Sequence, residues 1–252
     1  MPRAARKISS TGIYHIMIRG INRSNIYSDE VDKNKFIEIL MKTKEETKFE
    51  LYAYCLMDNH AHFLLKENEV TISTIMKKVC GTYGAWFNQR HNRVGHVFQD
   101  RFKSETVETE AYLIEVAKYI LNNPVKAKIV ENPTNFKWSS YKEYTNKSTL
   151  TDTEFLLSIY HTNKRKAKEL FRKEFMKKDL VPINLTIDNI RRTDTEAESI
   201  VDSEKKTLGI NNIENISVEQ RILFIKKLKA MGLTNRQIIA ISGLSRNKVI
   251  GI

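Results

Sequence analysis

The chain has 252 residues, 41% of them apolar, which is enough for one large domain or for a domain and a small module. Its formal net charge of +12 favours a polyanionic partner, nucleic acid before an anionic membrane surface. No apolar run approaches the ~20 residues of a membrane span, and the N-terminus lacks the apolar segment of a signal peptide, so we expect a cytoplasmic, nucleoid-associated protein without a membrane partner.

The N-terminal part of the chain predicts four strands and two helices from its alternating and helical apolar spacings. In chain order these elements are Ile13–Arg19, Asp29–Lys48, Phe49–Met57, His60–Lys66, Thr71–Gln89 and Arg101–Val107. The resulting β-α-β-β-α-β order predicts an α+β protein with a ferredoxin-like antiparallel sheet. We expect the helices to pack on one face of the sheet and to leave the other face free for a ligand.

Two histidines on the predicted third strand form the first candidate site. His60 and His62 are two residues apart, so in a strand their imidazoles point to the same face and can share one metal ion. Two ligands are too few to fix a metal's geometry, and a hydrogen-bonded core or a solvated patch explains the pair equally well. His15, on the first strand, faces either the sheet surface or the core and receives no ligand role.

A further helix, Glu110 to Asn123, is predicted to end before Pro124, because proline disfavours helical geometry in the residue before it. Tyr119 and Asn123 share one face of this helix, as a candidate nucleophile and a candidate oxygen ligand for Mg²⁺ or Mn²⁺. A phenol with a pKa of ~10 is a poor nucleophile, so such chemistry needs stabilisation of the developing charge. A core tyrosine and a helix-terminating asparagine remain the alternative.

The C-terminal part of the chain differs in composition. Residues 146–178 predict a lysine-rich helical extension, 179–216 a mainly polar linker, and 217–252 a small all-α module with helix-turn-helix spacing. The last helix would present Arg246, Asn247 and Lys248 to DNA. A simple helical interaction module is the alternative.

Five collinear motifs in residues 8 to 145 resemble the REP-associated tyrosine transposases, the single-tyrosine branch of the HUH nucleases. The motifs are Tyr14-His15 with Arg19-Gly20, Leu56 to Leu65, Arg93 to Lys103, Tyr119 to Ala127, and Trp138 to Tyr141. Five motifs in order are far more specific than any one of them. One departure is Asp58, where the family usually carries proline.

The resemblance implies a metal-dependent enzyme that cuts and rejoins DNA. His60, His62 and Asn123 would bind Mg²⁺ or Mn²⁺, and Tyr119 would attack single-stranded DNA to form a 5′-phosphotyrosine and a free 3′ hydroxyl. Asn122 is the less suitable ligand, since the i+3 position is displaced around the helix. The implied substrate is hairpin DNA of a repetitive palindromic element, bound by a monomer or a homodimer.

Residues 1–145 are thus predicted to form the transposase domain. Its candidate DNA-binding residues, together with those of the C-terminal module, are Arg3, Arg6, Lys7, Arg19, Arg93, Arg101, Lys103, Arg246, Asn247 and Lys248. A non-catalytic DNA-binding regulator of the same fold is the main alternative function. A replication initiator or relaxase shares the chemistry, but we expect it to carry a helicase or accessory domain.

Overall fold

A computed structural model describes residues 6–176, 194–207, 213, 216–230, 233 and 235–250. The chain divides into two compact units, Met1–Leu185 and Thr186–Ile252. None of the helices in these described ranges is long and apolar enough to cross a membrane.

The first unit is built on a four-stranded antiparallel sheet, which confirms the predicted α+β class. The strands are β1 (Ile13–Arg19), β2 (Glu50–Met57), β3 (His60–Lys66) and β4 (Lys103–Thr106), in the spatial order β2-β3-β1-β4. β4 begins two residues later than predicted, and the Phe102 carbonyl before it accepts a hydrogen bond from the Arg6 guanidinium at 3.1 Å.

Helices α1 (Glu30–Thr47) and α2 (Ile72–Arg90) pack against one face of the sheet. The Asp29 and Thr71 side chains cap their N-termini by accepting backbone N–H bonds. Phe36 of α1 stacks on Phe63 of β3 at 5.7 Å between ring centroids, and Tyr83 of α2 meets Phe36 edge-on at 5.0 Å. This face therefore forms an aromatic core.

The opposite face, which was expected to stay free, is covered by α3 (Glu110–Leu121), which packs on β2 and β3. Seven of the twelve residues of α3 are buried, so its apolar side chains need the sheet as a partner. The predicted helix end is also wrong. After Asn122 a short helix α4 (Asn123–Lys126) begins, and Pro124 occupies its first turn, where no backbone N–H is needed.

Three helices follow in the first unit: α5 (Tyr141–Thr145), α6 (Thr153–Tyr160) and α7 (Lys164–Phe175). The predicted lysine-rich extension contains a break, because Asn163 caps the N-terminus of α7 with its side-chain oxygen. The C-terminal end of α7 reaches α3, where Glu174 pairs with Lys118 at 3.2 Å. The extension therefore supports the helix that carries Tyr119.

The second unit contains α8 (Asp194–Thr207), α9 (Val218–Ala230), α10 (Asn235–Ser242) and α11 (Arg246–Ile250). Helix α8 lies in the segment 179–216 that was predicted to be mainly linker. Ala197 and Val201 of this helix are buried in a core with Phe224, Ile225 and other apolar residues. Helix α8 has only a few apolar residues at i and i+4 spacing. Its mainly polar composition therefore predicted a linker instead of a helix.

Candidate active site

Three imidazoles meet between the sheet and α3. Met17 of β1 is the register partner of His62 on β3, which places His15 diagonally across from His62. The His15 Nε2 and His62 Nδ1 atoms lie 3.0 Å apart, and neither histidine has any solvent exposure. His15 thus belongs to the buried cluster, a placement that its sequence context left open.

His60 connects this cluster to the end of α3. Its Nδ1 lies 2.6 Å from the Asn59 Oδ1, and its Nε2 lies 3.4 Å from the Asn123 Oδ1. A neutral imidazole has only one N–H. If Nδ1 donates to Asn59, the Nε2 lone pair faces the Asn123 carbonyl oxygen, and two acceptors facing each other favour a cation between them.

Tyr119 lies beside the same histidines. Its ring meets His62 edge-on at 5.5 Å and His15 at 5.9 Å between centroids, and the residue is 3% exposed. The Lys126 ammonium lies 5.2 Å from the centroid of the Tyr119 ring. The phenol, the imidazoles and one cation therefore share a single small site.

Burial keeps His15 and His62 neutral, and nearby positive charge adds to the effect at His62. Desolvation lowers the pKa of His15 to about 3. Desolvation also holds the pKa of His62 well below its usual value, with further contributions from His15, His60, Arg19 and Lys126. Neutral imidazole is the form that binds metal, and the nearby cations suit a phosphate.

The donor atoms fit a divalent cation. His62 Nε2 is buried without a hydrogen-bond partner among the described residues. Together with His60 Nε2 and Asn123 Oδ1 it offers two nitrogens and one oxygen, a set that Mn²⁺ or Mg²⁺ accepts when water and phosphate complete the shell. Within the described ranges no three His, Cys, Asp or Glu side chains could hold a metal ion, so the Asn123 amide is needed for a third protein ligand.

The structure separates the two neighbouring asparagines. The Asn122 amide donates to the Lys118 carbonyl at 3.0 Å and to the Phe175 carbonyl at 3.1 Å, which joins α3 to the end of α7. Asn123 instead faces His60. The two asparagines thus serve different purposes, one structural and one directed at the site.

The candidate DNA-binding residues lie in several places. Arg6 stacks over the Phe102 ring at 3.8 Å and, with Arg101, lines a cavity of about 930 Å³ beside α2. Arg19 is half-buried at the end of β1, where its register partner is His60. The remaining described members are exposed or partly exposed: Lys7, Arg93, Lys103, Arg246 and Lys248. Arg3 and the side chain of Asn247 lie outside the described residues.

Sequence reasoning missed two residues of the site. Lys126 lies on α4, beyond the end of α3, so no helical spacing within α3 indicated its place beside Tyr119. Asn59, which received no role from the sequence, contacts His60 directly. No pattern in the sequence showed that His15 would touch His62, because that contact depends on strand register.

Comparison with known proteins identifies the class. The sequence model of the family described as "Transposase IS200 like" matches residues 9–123, which contain all four strands, the three histidines, Tyr119 and Asn123. Residues 9–123 are therefore similar to the IS200-like transposases, and this match confirms the resemblance at that level.

Solved structures and curated proteins add little to this family match. A REP-associated tyrosine transposase bound to a REP hairpin is 17% identical, with 61% of this chain and 96% of that chain covered and a TM-score of 0.49. A putative transposase from Deinococcus radiodurans R1 is 20% identical, with 48% and 97% covered and a TM-score of 0.34. No curated protein matches the chain significantly. The identification therefore depends on the family match.

Proposed function

We propose that this transposase cleaves and rejoins single-stranded DNA beside a repeat hairpin, with Tyr119 as nucleophile and Mg²⁺ or Mn²⁺ held by His60, His62 and Asn123. The observation that supports it most is the buried Nε2 of His62 beside the Tyr119 ring, which has no hydrogen-bond partner among the described residues. Leaving a buried polar atom unpaired costs about 1–3 kcal/mol, so such an atom at a neutral imidazole favours a ligand role.

The proposed reaction conserves the phosphodiester bond energy. The Tyr119 oxygen loses its proton and attacks the phosphorus, a tyrosine O–P bond forms, and the P–O3′ bond breaks to leave a protonated 3′ hydroxyl. A bound divalent cation would supply stabilisation of the charge on the phosphate. Rejoining reverses these bonds when a 3′ hydroxyl attacks the phosphotyrosine, so no nucleotide cofactor is consumed.

Positive side chains support the same site. Arg19 and Lys126 act electrostatically on His62, and both can attract the scissile phosphate. Lys126 also lies close enough to the Tyr119 ring to stabilise a developing phenolate. We expect Lys126→Met to slow adduct formation about 10-fold while metal affinity stays within a few-fold of wild type.

A covalent trapping experiment tests the proposal. Single-stranded hairpin oligonucleotides from the host genome are labelled at the 3′ end and incubated with the protein and Mn²⁺. We expect a protein–DNA adduct on denaturing gels, because the tyrosine retains the fragment downstream of the cut. The same oligonucleotides labelled at the 5′ end should release a free fragment and no adduct.

The controls identify the nucleophile. Tyr119→Phe and EDTA should each abolish the adduct, whereas Tyr160→Phe, on α6 outside the site, should leave it unchanged. An adduct that survives Tyr119→Phe would refute the assignment. If wild type binds the hairpins yet forms no adduct, the chain is a non-catalytic DNA-binding regulator.

The finer features of the fold and of DNA binding belong to the same proposal. The strand order β2-β3-β1-β4 supports a ferredoxin-like sheet, and Gly243, with φ +72°, supports a turn between α10 and α11 of a helix-turn-helix module. Arg101→Ala should weaken DNA binding about equally for all DNA sequences. It should also reduce the slope of log K against log salt concentration by the amount expected for about one lost phosphate contact.

A further inference from the structure

A carboxylate extends the histidine cluster away from the metal position. Glu105 on β4 is the register partner of His15 on β1, so their side chains share a face of the sheet. The Glu105 Oε2 lies 3.9 Å from His15 Nδ1, and His15 Nε2 lies 3.0 Å from His62 Nδ1. The three side chains therefore form a row that leads from the sheet edge to His62.

The link between Glu105 and His15 has unused hydrogen-bonding capacity. His15 Nδ1 and Glu105 Oε2 are buried, and neither has a hydrogen-bond partner among the described residues. The 3.9 Å separation is longer than a hydrogen bond, and a rotation of the Glu105 side chain, which is 20% exposed, would close it.

Tyr112 of α3 also lies near this carboxylate. Burial raises the pKa of the Tyr112 phenol, and the nearby charge of Glu105 raises it further. A phenol donates only one hydrogen bond, whereas a carboxylate accepts several through its two oxygens. Glu105 can therefore accept from Tyr112 and from His15 at the same time.

Counting protons leaves two arrangements for a row of neutral imidazoles, each with one N–H. In the first, His15 donates from Nδ1 to Glu105 and accepts at Nε2 from His62 Nδ1. In the second, His15 donates from Nε2 to His62 Nδ1, and His62 must carry its proton on Nε2. A carboxylate only accepts, so Glu105 selects the first arrangement.

We propose that Glu105 and His15 are positioning residues that hold His62 as the Nδ1–H tautomer and aim its Nε2 lone pair at the metal position. This inference rests on the metal site of the proposed function and assigns a role to two residues outside the ligand set. The second arrangement would place an N–H where the cation binds. Partners behind a metal-binding histidine typically change metal affinity about 10- to 100-fold when removed.

Matched variants test this relay, the hydrogen-bonded row of Glu105, His15 and His62. His15→Leu removes the acceptor for His62, His15→Gln restores an acceptor as an amide oxygen, and Glu105→Gln replaces an acceptor-only group with one that can also donate. His161→Leu, in the connection between α6 and α7, is the control. The readouts are the Mn²⁺ Kd from titration of the full-length protein and the His62 tautomer from ¹⁵N NMR without metal.

The relay predicts a specific pattern. Wild-type His62 should carry its proton on Nδ1. His15→Leu should raise the Mn²⁺ Kd about 10- to 100-fold, His15→Gln should stay within a few-fold of wild type, and His161→Leu should change nothing. Glu105→Gln should shift His62 toward the Nε2–H tautomer and raise the Kd. If His15→Leu fails to fold by circular dichroism, Glu105→Gln decides the test.

Opposite results have distinct meanings. A wild-type His62 protonated on Nε2, or an unchanged Kd in both His15→Leu and Glu105→Gln, overturns the relay while leaving the metal site intact. A wild-type protein that binds no Mn²⁺ and forms no DNA adduct overturns the proposed function as well. The NMR readout without metal separates the two cases.

Discussion

The two faces of the sheet use the same strands for opposite purposes. On one face Phe63 packs against aromatic rings of α1 and α2. On the other face His15 and His62 are equally buried, yet each has a ring nitrogen without a hydrogen-bond partner in the described part of the chain. Adjacent residues of β3, His62 and Phe63, thus belong to entirely different environments.

Under the proposed function, this difference reflects stability given up for chemistry. An aromatic face gains free energy from every buried ring, whereas unpartnered imidazole nitrogens reduce stability until a ligand binds them. Violations of packing rules are expected at functional sites. Substitutions on the aromatic face should therefore alter the free energy of unfolding, and substitutions on the histidine face should alter activity.

The largest expected effect is the loss of activity in His62→Leu. Removing a metal ligand forfeits several kcal/mol of charge stabilisation, so the rate of adduct formation should fall about 1,000-fold or more. The free energy of unfolding should fall by no more than about 1–3 kcal/mol, since leucine fills the buried space but leaves His15 Nε2 without its partner. Gel assays and urea unfolding measure the two quantities, and a large loss of stability would contradict the comparison.

On the other face, Phe63→Ala should lower the free energy of unfolding by about 3–5 kcal/mol, the usual cost of deleting a buried phenylalanine. The ring stacks on Phe36, so the loss leaves a cavity between the sheet and α1. Urea unfolding measures the change. At temperatures where the variant remains folded, its Mn²⁺ Kd should match wild type, and a changed Kd would show that the two faces are coupled.

The next largest effect should be the pH dependence of the free energy of unfolding, to which the buried His15 contributes. Unfolding returns the pKa of His15 from about 3 to about 6.5. Between these values the unfolded chain binds more protons, so stability is complete above pH 6.5 and falls as pH decreases, by up to about 1.4 kcal/mol per pH unit for this histidine. Unfolding series in EDTA should show a shallower slope for His15→Leu than for wild type. Identical slopes would contradict the buried, neutral state of His15.

The smallest effects should separate the two asparagines. Asn122→Ala removes one hydrogen bond to Lys118 of α3 and one to Phe175 of α7, and it should lower the free energy of unfolding by about 1–2 kcal/mol with little change in Mn²⁺ Kd. Asn123→Ala should do the reverse and weaken Mn²⁺ binding about 10-fold. Equal effects of the two variants on Kd would remove Asn123 from the ligand set.

Most of the fold follows from local patterns. Strand β1 is predicted residue for residue by its alternation, and α1 and α2 are predicted within one residue at each end by their apolar spacing and caps. One prediction was wrong because the local pattern was weak, as in the polar helix α8. Another was wrong because tertiary packing set the outcome, since α3 covers the sheet face that was expected to stay free.

The sequence by itself determined the pair His60 and His62 on one strand face, the spacing of Tyr119 and Asn123, and the family that residues 9–123 match. These depend on periodicity and order, which are local. Only the tertiary structure decided that Asn123 lies within 3.4 Å of His60, and that His15 lies against His62. Strand register and helix packing set those contacts, because they join residues that are far apart in the chain.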